Sequence, residues 1–117
     1  MTVPIKTGDT RTPIAAKLKT PKGKPVDLTD AEVRFYMRAS RPDALNRSQV
    51  PAGGIILDKE ALIIDAKGGR VAYAFDAGET DQAGIYHGEF VVTYRDASIE
   101  TFPNEGYILI NIGNSLR

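Results

Sequence analysis

The chain of 117 residues has the length of one domain, enough to bury a core without disulfides or a structural metal. Its 42% hydrophobic and 26% charged residues are those of an ordinary globular protein, which excludes a disordered or bilayer-spanning chain. Fifteen basic and fifteen acidic side chains cancel, which argues against a general affinity for nucleic acid or anionic membrane. Cysteine is absent, so disulfides, thiol nucleophiles and Cys-ligated zinc are excluded too. Residues 1–50 carry ten basic and five acidic side chains, and residues 51–117 carry five and ten. That asymmetry could serve self-pairing or partner docking.

The opening MTVPIKTGDT has no basic segment leading into an apolar run, so a cytoplasmic start is expected. From there the hydrophobic period is two, which predicts an all-β protein. Ile14, Ala16 and Leu18 alternate with Lys17 and Lys19, and Pro21-Lys22-Gly23-Lys24-Pro25 enforces a turn. Leu28 ties in a bend before the next strand, where Val33, Phe35 and Met37 point inward and Arg34 and Arg38 outward. A long loop is expected over about 39–53, with two prolines and no alternation. Ile55-Ile56-Leu57 and Leu62-Ile63-Ile64 suggest two short strands or one interrupted edge strand. After the turn at 66–69, Val71, Tyr73 and Phe75 share a face, and the acidic loop 76–82 leads to the longest strand, 85–94. Its Tyr86, Gly88, Phe90, Val92 and Tyr94 alternate with His87, Glu89 and Thr93, so His87 is expected on a solvent-facing side. A hairpin turn at 95–98 without glycine, a strand 99–102, a turn at 103–106 and a strand 107–112 complete the chain. Seven to eight strands with regular turn signals predict one antiparallel β-sandwich over 1–117, a small barrel being the competing architecture. Helix is confined at most to a turn within 43–49 or 77–82.

Little in this pattern carries chemistry. A Ser-His-Asp site would have to use His87, the one histidine, yet the serines at 40, 48, 98 and 115 lie in loops or the tail. Gly23-Lys24 is no P-loop, since Leu18 and Pro25 occupy positions that need Gly and Ser or Thr. Asp76, Glu79 and Asp81 cluster in one loop, and hard cations take such oxygen ligands, but the spacing is not that of an EF-hand. A solvated loop capping the sheet is the expected reading, with no catalytic residues, no metal ligands and no cofactor. The lysines at 17, 19, 22 and 24 lack interleaved aromatics for stacking on bases, and they fit protection of an exposed strand.

The segment Ala83-Gly84-Ile85-Tyr86 matches the acidic-small-Gly-x-Tyr corner of immunoglobulin-like domains, with Asp81 one residue further upstream than in that pattern. Tyr86, Gly84 and Asp81 are the candidate structural corner, and Gly88 stands where a disulfide-bearing domain would have cysteine. GRVAYAF (69–75), ETDQAGIYHGEFVVTYRD (79–96) and ETFPNEGYILINI (100–112), with the opening IKTGDTRTPIAAKLKTPKGKPVDLTDAEVRFYMR, resemble the N-terminal domain family of phage baseplate upper proteins. The resemblance covers nearly everything apart from 39–58, and it departs in having Asp96-Ala97 where such sequences tend to have an Asp-Gly turn.

The resemblance implies an immunoglobulin-like sandwich that is a non-enzymatic building block of a tailed-phage or prophage particle, formed in the host cytoplasm and ending in the virion. The expected partners are other tail or baseplate proteins, with self-association as a further contact and neither nucleic acid nor membrane. The sequence stops at Arg117, so it resembles the attachment module alone. Phe102, Pro103, Asn104 and Glu105, with the 39–53 loop, form the candidate interface, because the proline cannot continue a ladder and leaves an aromatic beside a turn. Phe102 either fills the end of the core or is covered by a neighbour. The alternatives are a free-standing virion accessory protein, a fragment of a longer one, an immunoglobulin-like adhesion module binding carbohydrate or a host surface and, more weakly, a small hydrolase.

Overall fold

A computed structural model describes residues 2–42, 49–51 and 57–116. Its strands are β1 (Thr2–Lys6), β2 (Ile14–Lys17), β3 (Glu32–Pro42), β4 (Gln49–Pro51), β5 (Leu57–Glu60), β6 (Leu62–Asp65), β7 (Arg70–Tyr73), β8 (Gly84–Thr93), β9 (Ile99–Phe102) and β10 (Ile108–Gly113). The protein is all-β, and no helix occurs among the described residues. The larger sheet runs β1-β10-β8-β3-β4, with β5 also on β3 and β9 also on β8; β2-β7-β6 form the second sheet.

The alternation explains how the sheets meet. Val33, Phe35 and Met37 of β3, Phe90 and Val92 of β8, and Ile108, Ile110 and Ile112 of β10 are buried on one face of the larger sheet. Ile14, Val71 and Tyr73 face them from the smaller one. An aromatic contact bridges the layers, Phe35 stacking on Tyr73 with ring centroids 5.0 Å apart, and within the larger sheet Phe35 tilts against its cross-strand neighbour Phe90 at 5.1 Å. At Gly88 an added Cβ would come within 2.9 Å of the Phe35 ring and 3.0 Å of Ile110 Cδ1. The position where a disulfide-bearing domain would carry sulfur is thus filled by those two side chains.

Several expectations change. β1 is a strand the opening did not suggest, and it pairs parallel with β10, so the sandwich is not purely antiparallel and has ten strands among the described residues. Its Val3 and Ile5 turn toward the core, and Pro4 is tolerated because an edge strand needs fewer ladder donors. Within the expected loop over 39–53, residues 39–42 belong to β3 and 49–51 to β4, which pairs with it, while 43–48 and 52–56 lie outside the described residues. Asp58, Lys59 and Glu60, expected as a break, belong to β5 and pair with β3. The chain then switches sheets at buried Ala61, whose amide donates to the Val33 carbonyl, so β5 and β6 are separate strands of different sheets. In the hairpin at 94–98, Ala97 takes the positive φ of 72° that glycine would supply more cheaply.

Candidate docking site

Strands β9 and β10 both pair with β8 and run in the same direction along it. Phe102 lies opposite Phe90 and Ile108 opposite Gly88, so two positions along β8 correspond to six on the partner chain. The surplus leaves the sheet as the loop 103–107. Pro103 opens it with a cis Phe102–Pro103 bond and no amide to extend the ladder. The loop is pinned at both ends. Asn104 Nδ2 donates to the Thr101 carbonyl at 3.1 Å and to Glu100 Oε2 at 3.4 Å, while Glu100 Oε1 accepts from the Tyr94 hydroxyl at 2.7 Å. Burial and then the Glu100 carboxylate push the Tyr94 phenol up to about 12. At the far end the Tyr107 ring stacks on His87, with centroids 4.7 Å apart.

Between this loop and β2 lies a groove of about 380 Å³. One wall is Phe102, Pro103, Asn104, Glu105 and Tyr107, the other Ala16, Lys17, Leu18 and Lys19, with Phe90 and Ile108 beneath. All four candidate interface residues therefore line the groove. Phe102 is only 4% exposed and belongs to the core, so it contributes to the floor, while Asn104 and Glu105 are exposed. The sequence pattern did not pair the opposite wall with them, because strand alternation is blind to which edges of two sheets face each other. The 39–53 segment is not part of this groove among the described residues.

His87 is not solvent-facing: it is 6% exposed, and its Nδ1 has no hydrogen-bond partner among the described residues. The reason is tertiary, since β8 is central, with Arg38 and Leu109 on either side of His87 in register, and Tyr107 covers the ring. Burial lowers the imidazole pKa.

Tyr86, 7% exposed, donates its hydroxyl to the Gln82 carbonyl at 2.7 Å, and burial raises its pKa. Gly84 lies under the Tyr86 ring, where an added Cβ would come 3.6 Å from it, and Asp81 is exposed beside Gln82. Sequence reasoning grouped Asp76, Glu79 and Asp81 as a solvated loop but missed Lys59, Tyr73 and Thr80, which organise it. Glu79 accepts from the Tyr73 hydroxyl and the Asp76 amide, both at 2.7 Å, and pairs with Lys59 Nζ at 2.7 Å. Asp76 reaches the same ammonium at 3.0 Å. Burial raises the Glu79 carboxyl, but Lys59, the Asp76 amide and the Tyr73 hydroxyl together hold it below its ordinary value. Thr80 is fully buried and donates to the Asp9 carbonyl at 2.8 Å, tying the loop to the segment before β2. Two of the three loop carboxylates thus converge on a lysine.

Residues 2–107 match the BppU N-terminal domain family. The chain belongs to that family. No curated protein matches it. Membership makes it a phage baseplate-related structural domain, associated as such with other virion proteins. No helix among the described residues is long and apolar enough to cross a membrane.

Proposed function

We propose that this BppU-family domain is a non-enzymatic docking module of a tailed-phage or prophage particle, contacting a neighbouring tail or baseplate protein through the groove between β2 and the 103–107 loop. The observation that carries this reading is the loop itself. It leaves the sheet, yet Asn104 and Tyr107 fix both ends, so Pro103 and Glu105 stand on the groove wall without the ordering cost a free loop would bring to binding. Tyr86, Gly84 and Asp81, none of which lines the groove, serve the domain's stability as in an immunoglobulin-like sandwich and take no part in docking. Assembly occurs in the host cytoplasm before incorporation into the virion.

The test is cross-linking mass spectrometry on intact particles from the source. Cross-links from Lys17 or Lys19 to a tail or baseplate protein are expected. A chain absent from the particles, or present with no link to any tail protein, would refute the reading; binding of the isolated domain to a glycan array instead would favour an adhesion module.

A further inference from the structure

If the groove is the docking site, its polarity also describes its occupant. Among the described residues β2 pairs with β7 alone, which leaves its other edge open beside the groove. The Leu18 amide donates to the Gly69 carbonyl at 2.7 Å, next to β7. Alternation along an antiparallel ladder therefore directs the backbone groups of Ile14, Ala16 and Leu18 toward β7 and those of Ala15 and Lys17 toward the open edge. The side chains alternate in the other dimension, Ala16 and Leu18 turning toward the core and Lys17 and Lys19 toward solvent. Among the described residues neither lysine has an ion-pair partner.

We infer, resting on the docking reading, that the β2 edge accepts an extended segment of a neighbouring protein in which apolar and acidic residues alternate. Such a strand bonds to the free backbone groups of Ala15 and Lys17. Its residues opposite Ala16 and Leu18 enter the groove over Phe90, and those opposite Lys17 and Lys19 meet two cations. Charge complementarity sets this choice: a basic strand would crowd the lysines, and a uniformly acidic one would bury carboxylates in an apolar floor. Glu105 stands on the opposite wall and holds the acidic side chains to the β2 side.

The probe is an acetylated and amidated heptapeptide alternating valine and aspartate, added to the ¹⁵N-labelled domain and followed by NMR. Expected are amide shifts at residues 15–19 and 102–108, slower hydrogen exchange at Ala15 and Lys17, and loss of binding when alternate peptide nitrogens are methylated. Replacing aspartate by lysine, or making the double variant Lys17→Glu/Lys19→Glu, should weaken binding by about tenfold or more, since two cross-strand pairs change from attraction to repulsion. The Lys22→Glu/Lys24→Glu control, on the turn beyond the groove, should change it by less than about twofold. No binding, binding indifferent to methylation, equal binding of the lysine peptide, or self-association of the domain through the same residues would each overturn the inference. If cross-links from Lys17 or Lys19 still reach a tail protein in particles while the peptide fails, docking stands and only the strand-addition inference falls.

Discussion

Replacing Tyr86 by Phe removes one oxygen and nothing else from a ring that is 7% exposed. The lost interaction is the 2.7 Å bond to the Gln82 carbonyl. A typical intramolecular hydrogen bond contributes about 0.5–1.5 kcal/mol net, and a buried acceptor left unpaired costs about 1–3. Gln82 is exposed, so its carbonyl can recruit water after the substitution, which places the expected cost near the lower range, about 1 kcal/mol. For a chain of this size that corresponds to a fall in Tm of roughly 4 °C. With a urea slope of about 1.5 kcal/mol/M, the midpoint should drop by roughly 0.7 M at unchanged slope. Urea unfolding of both proteins at pH 7 measures it. A midpoint within about 0.2 M of the parent would refute the corner argument, and an altered slope would show that the substitution changes more than one bond.

Gly69→Ala should destabilise by more than about 2 kcal/mol, because φ is +69° and the new Cβ would fall 2.6 Å from the Leu18 carbonyl oxygen; urea unfolding within about 0.5 kcal/mol of the parent would contradict this backbone packing. Ala97→Gly should stabilise by about 0.5 kcal/mol, the relief of a left-handed alanine at φ 72° exceeding the extra chain entropy of glycine, and a lower Tm would refute it. His87 gives a pH signature: its folded pKa lies below the unfolded value, so on acidification the unfolded chain binds the proton first and stability falls from about pH 6.5 down toward the folded pKa. Below about pH 4.5 Glu79, with its lowered pKa, adds a second loss, whereas Glu89, raised by burial, takes up its proton in the folded chain first and so gives a gain above that pH, between its folded pKa and about 4.5. His87→Gln should flatten the slope between about pH 5 and 6.5 in a series of urea midpoints, and an unchanged slope would show that His87 does not set the pH dependence.

Strand faces were legible because each strand of a sandwich has one buried side: Val33, Phe35 and Met37, or Phe90 and Val92, announce it by alternation alone. The outer face was not, since His87 owes its burial to Tyr107, a residue delivered by a different strand. β1 was hidden by its proline, and the sheet switch at Ala61 by the absence of any glycine or proline to mark it. For the site, the proline in the Phe102–Glu105 run revealed one wall of the groove through its missing amide. The lysines of the other wall could be read only as a solvated strand, because nothing local records that the β2 edge lies across from that loop.

The division of labour within the groove follows from the two sheets. Phe90, Phe102 and Ile108 are buried and hold the layers together, so their substitution would test folding and binding at once. Lys17, Lys19 and Glu105 are exposed, and their side chains make no ion pair or hydrogen bond among the described residues, so they can change without touching the core. A strand that inserts between these rims covers the apolar floor where the smaller sheet ends at β2 and the larger one is interrupted at Pro103. The interruption therefore has two effects. It ends the ladder between β8 and β9, which opens the side of the sandwich, and it lifts a pinned loop that bounds the opening. A continuous β9–β10 strand would remove that wall, so shortening the loop should abolish docking while leaving the pairing of β8 with β10 intact.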